Sequence, residues 1–351
     1  MARKLLWASL ALAPITFVID FVLHPGDVVL FVLAAATLVP LAWLIGESTE
    51  QASEHTGPGI GGFLNASFGN APELIIAMFA VADGLPNVVR GSLAGSVISN
   101  LLLVLGVAMA AGETGKPINR NSLLLQLGLV ATAVLLFLGP SVAGWHGDPD
   151  RHSLAVVSAP IAVVLLALYL VVQTIQLRGF RQQHTASGRQ ERAEAWSLRR
   201  ALVALSVATA ATAVTSEILV HSLDGFAKAA GFSQFFISIV IVAVIGNAAE
   251  HGGAIVIARR GKMRLATEIA VSSSAQVALF VTPAVALLSW AVKPPLPLAF
   301  RWEELGAMAL ATVVVAGVVF DGSSKRWQGL ALVGLYAVLV VGFAFAGDRP
   351  S

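Results

Sequence analysis

Polar residues cut this chain into long apolar runs. Runs close to the roughly 20 residues needed to cross a bilayer fall at 5–23, 27–45, 60–82, 88–111, 121–139 and 153–177. After a polar break they resume at 201–221, 233–257, 265–290, 303–320 and 327–346. The pattern predicts an all-α polytopic membrane protein of about eleven transmembrane helices. The run Leu5–Leu23 follows Arg3 and Lys4, as a secretory signal would. Its length, Pro14, Asp20 and the short turn into the next run predict a retained first helix instead.

Two of these runs contain a carboxylate. Gly69-Asn70-Ala71-Pro72-Glu73 lies within the third run and Gly246-Asn247-Ala248-Ala249-Glu250 within the eighth. An acidic residue at a helix centre costs roughly 2.5–3.5 kcal/mol on insertion scales, so it faces a protein-lined cavity and has a job, or pairs with a neighbour. The two motifs are five runs apart, and an odd number reverses the direction of travel. They therefore enter the membrane antiparallel, which is the mark of an inverted repeat with its site near the midplane. The division that follows is an N-terminal helix at 1–26, a five-helix repeat at 27–177, a basic cytoplasmic linker at 178–200 and a second five-helix repeat at 201–351.

The likeness of the halves extends beyond the glutamates. Asn70 and Asn247 each precede their glutamate by three residues, which places amide and carboxylate on one helix face. In the next run Ser96 and Asn100 are four apart, and in the copy Ser272 and Gln276 are four apart. The candidate ligands are therefore Glu73, Glu250, Asn70, Asn247, Ser96, Asn100, Ser272 and Gln276, with ordinary helix packing as the alternative for the amides and serines. Backbone carbonyls freed at the glycines and Pro72 are tolerated only where they line a cavity or bind something.

Composition narrows the chemistry. Only 12% of residues are charged and 57% are hydrophobic, with a mean hydropathy of +0.82, against roughly 25% charged for soluble domains. No cysteine is present, so disulfides and thiolate sites are excluded. The pI near 9.1 accompanies a net charge of only +2 spread over short loops, which excludes a nucleic-acid partner in favour of membrane topology. With the N-terminus cytoplasmic and the C-terminus outside, the inner segments hold 16 of the 22 Lys and Arg, as the positive-inside rule requires. Short loops and tails suit a prokaryotic cell membrane.

Oxygen ligands and two carboxylates favour a hard cation, and Ca²⁺ takes six to eight oxygens. Without the cation the two charges repel in a poor dielectric and protons neutralise them. Metal and protons then compete for the same oxygens, which is the coupling an antiporter needs. His251, beside Glu250, is a candidate proton shuttle or a packed, hydrogen-bonded histidine. A Na⁺/Ca²⁺ exchanger, a passive cation channel and an intramembrane hydrolase are the rival classes. No HExxH or GxSxG motif is present, and an enzyme would have no use for a duplicated glutamate.

The segments Gly61 to Ile75, Gly95 to Gly106, Gly246 to His251 and Ser272 to Phe280 resemble the CAX-type cation/proton exchangers of the calcium/cation antiporter superfamily. The resemblance implies a secondary antiporter, not an enzyme, that exports or sequesters Ca²⁺ in exchange for H⁺. It further implies eleven spans and two glutamates, here Glu73 and Glu250, that bind the cation and are protonated in turn. Its partners would be Ca²⁺, H⁺ and the bilayer, with no cofactor. Two positions depart from the family pattern. The 178–200 segment is mostly basic where relatives often carry acidic residues, and Ala243 stands where proline is frequent.

Overall fold

The computed structural model describes residues 2–183, 196–292 and 294–348. Residues 184–195, the middle of the expected linker, lie outside them. The described chain is helical, with no strand: α1 (Leu5–Leu23), α2 (Asp27–Phe68), α3 (Ala71–Ala82), α4 (Pro86–Ala111), α5 (Arg120–Trp145) and α6 (His152–Gln183) in the first part. In the second part come α7 (Leu198–Ala230), α8 (Gln234–Gly246), α9 (Ala248–Arg259), α10 (Met263–Val292), α11 (Trp302–Val319) and α12 (Arg326–Ala346). Polar residues set the ends of α7 and α8. Ser197 and Ser233 accept the backbone amides of Arg200 and Phe236, satisfying donors that a helix start leaves open.

Among the described residues nine helices are long and apolar enough to cross a membrane, or ten when the bent pair α8 and α9 is counted as one span. The expected figure was about eleven, and the difference lies in the third run. Its second half is α3, only 12 residues long, while its first half continues the helical stretch of α2. The long helix α7 shows the course of the chain there. Phe31 stacks on Phe226 at 4.1 Å, His55 Nε2 lies 2.6 Å from the Trp196 carbonyl, and Asp83 pairs with His221 at 3.2 Å. These contacts descend the length of α7 and return, so the chain reverses between residues 55 and 83, and α3 runs antiparallel to the first part of α2.

Lipid tails are as apolar as leucine, so close packing holds the helices together rather than apolarity. The centre of the molecule is α4, most of whose side chains are buried. Gly91 and Gly95, one turn apart, lie where α4 crosses α8. A Cβ on Gly95 would collide with the Ile239 carbonyl oxygen, and one on Gly91 would meet the Ser238 hydroxyl. Further along, Gly106 and Gly329 bring α4 and α12 together in the same way. Helix α1 is peripheral. It is tied to α2 by the Thr16 and Thr37 hydroxyls at 2.8 Å and by Trp7 packing on Trp43 and Trp196. At the opposite end from Trp196, Arg90 is 1% exposed and meets Asp150 at 2.7 Å and Asn87 at 2.8 Å.

Candidate functional site

Each of the two expected motifs breaks a helix. Asn70, between α2 and α3, has φ −97° and ψ 14°, and Asn247, between α8 and α9, has φ −94° and ψ 9°. Both values lie in the sparsely allowed bridge region. In the first break Pro72 stands at the start of α3, where its missing amide costs nothing. The second break bends the chain by 59° with no proline. Ala243 therefore leaves the break intact, and its methyl group faces Gly95.

The partners of the two breaks, α4 and α10, also match. Each carries a π-helical turn, Asn100–Val104 and Val277–Val281, and such turns recur at functional sites. Each turn begins 27 residues after its glutamate. The breaks are held from the opposite half. Asn70 Nδ2 donates to Gln276 Oε1 at 2.8 Å, and Asn100 Nδ2 donates to Asn247 Oδ1 at 3.1 Å. Asn247 Nδ2 donates to Ser96 Oγ at 2.8 Å and to the Ala243 carbonyl at 3.0 Å.

The two carboxylates meet inside this frame. Glu73 is 6% exposed, and neither of its oxygens receives a hydrogen bond from another described residue. Its chain packs against Gly246, where a Cβ would stand 3.3 Å from Glu73 Cγ. A cavity of about 10 Å³ adjoins it, lined by Ser92 and Ser96. Glu250 lies near Ser273 and close enough to Glu73 for their charges to interact, while its Oε2 has no hydrogen-bond partner. Nearly all buried polar groups in folded proteins are paired. Three carboxylate oxygens at one locus without a donor make a place for a cation or for protons.

Most of the expected residues converge here, with two differences. Ser272 donates to the Ile269 carbonyl at 3.1 Å and faces a separate cavity beside Gln276. Its neighbour Ser273 is the serine that stands near Glu250. The signal for it was present in the sequence: Ser96 follows Glu73 by 23 residues and Ser273 follows Glu250 by 23. His251 Nε2 lies 3.0 Å from Asn100 Oδ1. An amide oxygen only accepts, so the imidazole donates and helps hold Asn100 against Asn247. Among the described residues no three His, Asp or Glu side chains gather as a metal cluster; the site has two charges and a shell of amides and hydroxyls.

A membrane helix bundle with two helix breaks and an acid three residues after each is a transporter architecture. The chain belongs to the sodium/calcium exchanger protein family, which it matches over residues 27–178 and 200–345. It is 38% identical to the Ca²⁺/H⁺ antiporter ChaA of Bacillus subtilis (strain 168), over 88% of this chain and 89% of that protein. It is 35% identical to the vacuolar cation/proton exchanger 1a of Oryza sativa subsp. japonica, over 84% of this chain and 70% of that one. The solved structure of native YfkE superposes with a TM-score of 0.83 at 34% identity, covering 98% of this chain and 99% of the other.

Proposed function

We propose that this chain is a secondary antiporter that moves Ca²⁺ in exchange for H⁺, with Glu73 and Glu250 as the groups both ions share. The observation that carries it is the buried Glu73 carboxylate, with no donor from another described residue and within reach of the Glu250 charge. The names of the two curated relatives, a Ca²⁺/H⁺ antiporter and a cation/proton exchanger, support the same reading. Two carboxylates balance one divalent cation. Asn70, Asn247, Ser96, Ser273 and carbonyls freed at the breaks bring its shell toward the six to eight oxygens Ca²⁺ prefers. When the ion leaves, the two charges face each other in a poor dielectric and protons take its place. One site thus carries either cargo.

Asn100 and Gln276 hold the two asparagines in place and add no charge. That favours protons over extra Na⁺ as the counter-ion. His251 acts on the site through Asn100. The chain is arranged as an N-terminal helix at 1–26 and two five-helix repeats at 27–177 and 201–351, joined by a cytoplasmic linker at 178–200. The basic turns face the cytoplasm, the C-terminus faces outward, and the protein resides in a prokaryotic cell membrane.

The test is Ca²⁺ uptake into proteoliposomes with an acidic lumen and no Na⁺. Uptake that collapses with a protonophore supports the proposal. Uptake that waits for a Na⁺ gradient moves the assignment to a Na⁺-coupled exchanger, and flux without proton movement moves it to a channel.

A further inference from the structure

One half-buried acid of α10 takes no part in the paired site. Glu268 stands near the helix start, beside the basic turn that includes Arg259, Arg260, Lys262 and Arg264. Its Oε2 accepts Ser122 Oγ at 2.9 Å and Gln126 Nε2 at 2.9 Å, both from α5. Gln126 Nε2 also donates to Ser122 Oγ at 3.1 Å. Gln126 is only 6% exposed, yet its Oε1 has no hydrogen-bond partner. Both of its donor contacts are made by the nitrogen, which leaves an orphaned buried acceptor beside a carboxylate.

Above this cluster lies a cavity of about 40 Å³ lined by Gln126, Tyr169, Gln173, Ser272 and Gln276. By the measure in which one water needs about 10–15 Å³, it holds about three. Glu268, Ser272 and Gln276 follow one another at four-residue steps, so they share one face of α10 over about 12 Å. The last of them, Gln276, grips Asn70 at the first break. A file of oxygens therefore runs from the basic-turn end of the molecule to the edge of the paired-carboxylate site.

We propose that Glu268, Gln126 and this cavity form a capture station for a hydrated divalent cation on the basic-turn side, from which the ion passes by the Asn70–Gln276 pair to Glu73 and Glu250. The proposal rests on the antiport reading above for its cargo. The chemistry is that of a cation route: a carboxylate, an unpaired amide oxygen and hydroxyls, with space for water and no cationic side chain lining the cavity. Gln276, already bonded to Asn70, closes its inner end.

Sided proteoliposomes of the full chain test it through the KM for Ca²⁺ presented at each face. Glu268→Gln keeps the shape of the cluster and removes its charge. The expected result is a KM about five- to tenfold higher at the basic-turn face, as loss of one charge contact gives, with the saturating rate and the KM at the other face unchanged. An unchanged KM at the basic-turn face, or an equal rise at both, overturns the proposal. A second readout uses the absence of native cysteine. Leu129→Cys, on the cavity wall, should react with a charged methanethiosulfonate from the basic-turn face, and Ca²⁺ should slow that reaction. A cysteine that stays unreactive, or whose rate ignores Ca²⁺, contradicts the route. If wild-type protein moves Ca²⁺ only with Na⁺, the antiport reading falls while the cysteine result still decides the capture station.

Discussion

Asn70 donates to Gln276 across 2.8 Å, joining the break of the first half to α10 of the second, just before its π turn. The reciprocal bond joins Asn100 to Asn247 at 3.1 Å. Each broken span is thus held by the other half, and neither break can straighten without releasing an amide in the opposite repeat.

Removing the acceptor tests that linkage. Gln276→Leu leaves the Asn70 amide without this partner in a buried place, at a cost of about 1–3 kcal/mol. Apparent Ca²⁺ affinity should fall about ten- to hundredfold. Asn70→Ala combined with Gln276→Leu should lose less than the sum of the two, because contacting residues are not additive. Additive losses in Ca²⁺ uptake assays would show that the pair does not act together.

The serine nearer Glu250, Ser273, should matter more than its neighbour. Ser273→Ala removes the hydroxyl beside Glu250, a polar partner for the carboxylate or its ion worth about 1.5 kcal/mol, and should weaken Ca²⁺ activation of transport about tenfold. Ser272→Ala breaks a bond to its own helix carbonyl and takes one neutral hydroxyl from the cavity wall, and should shift it by less than about threefold. Titrating Ca²⁺ in both variants under one pH gradient decides between the two positions.

The glycines of α4 make a stability prediction. Gly95→Ala places a methyl group on the backbone of Ile239, whereas the methyl of Gly91→Ala meets the Ser238 hydroxyl, a side-chain atom that can turn aside by giving up its bond to the Phe235 carbonyl. Thermal unfolding in detergent should show a loss of about 1–3 kcal/mol for Gly95→Ala, in the range of overpacked cores, and clearly less for Gly91→Ala. Equal stability of both variants would contradict the packing described for α4 and α8.

Arg90 supplies a second stability test. Breaking a buried pair by removing one partner costs about 3–5 kcal/mol when the other is left charged and buried. Asp150 is partly exposed, with 35% of its side chain accessible, and Arg90 keeps Asn87 and the Pro297 carbonyl without it. Asp150→Asn should therefore cost less than that range. Arg90→Leu strands Asn87 and should lower the yield of folded, monodisperse protein more than Asp150→Asn does.

Much of this arrangement was legible in the sequence, because charge inside a bilayer is expensive and so conspicuous. Glu73, Glu250 and the asparagines three residues before them, at the two helix breaks, could be read directly. The contacts across the halves could not. In a helix surrounded by lipid both faces are apolar, so periodicity does not say which side meets a partner, and Ser272 looked as good a ligand as Ser273. The π turns at Asn100 and Val277 follow from packing and have no local residue signature. The third run was misleading for a related reason: its first half continues the helical stretch of α2, and hydropathy alone does not record where such a stretch bends. The Glu268–Gln126 contact joins residues 142 positions apart, beyond any local pattern.

The central claim is that Ca²⁺ and protons occupy the same pair of carboxylates. Calorimetric titration of Ca²⁺ into purified protein, in buffers of different ionisation enthalpy, counts the protons released per ion bound. Wild-type protein should release protons on binding, with affinity falling as pH is lowered, and both Glu73→Gln and Glu250→Gln should lose high-affinity binding and the release. Ca²⁺ binding without proton release, or undiminished affinity in either variant, would contradict the paired-carboxylate account.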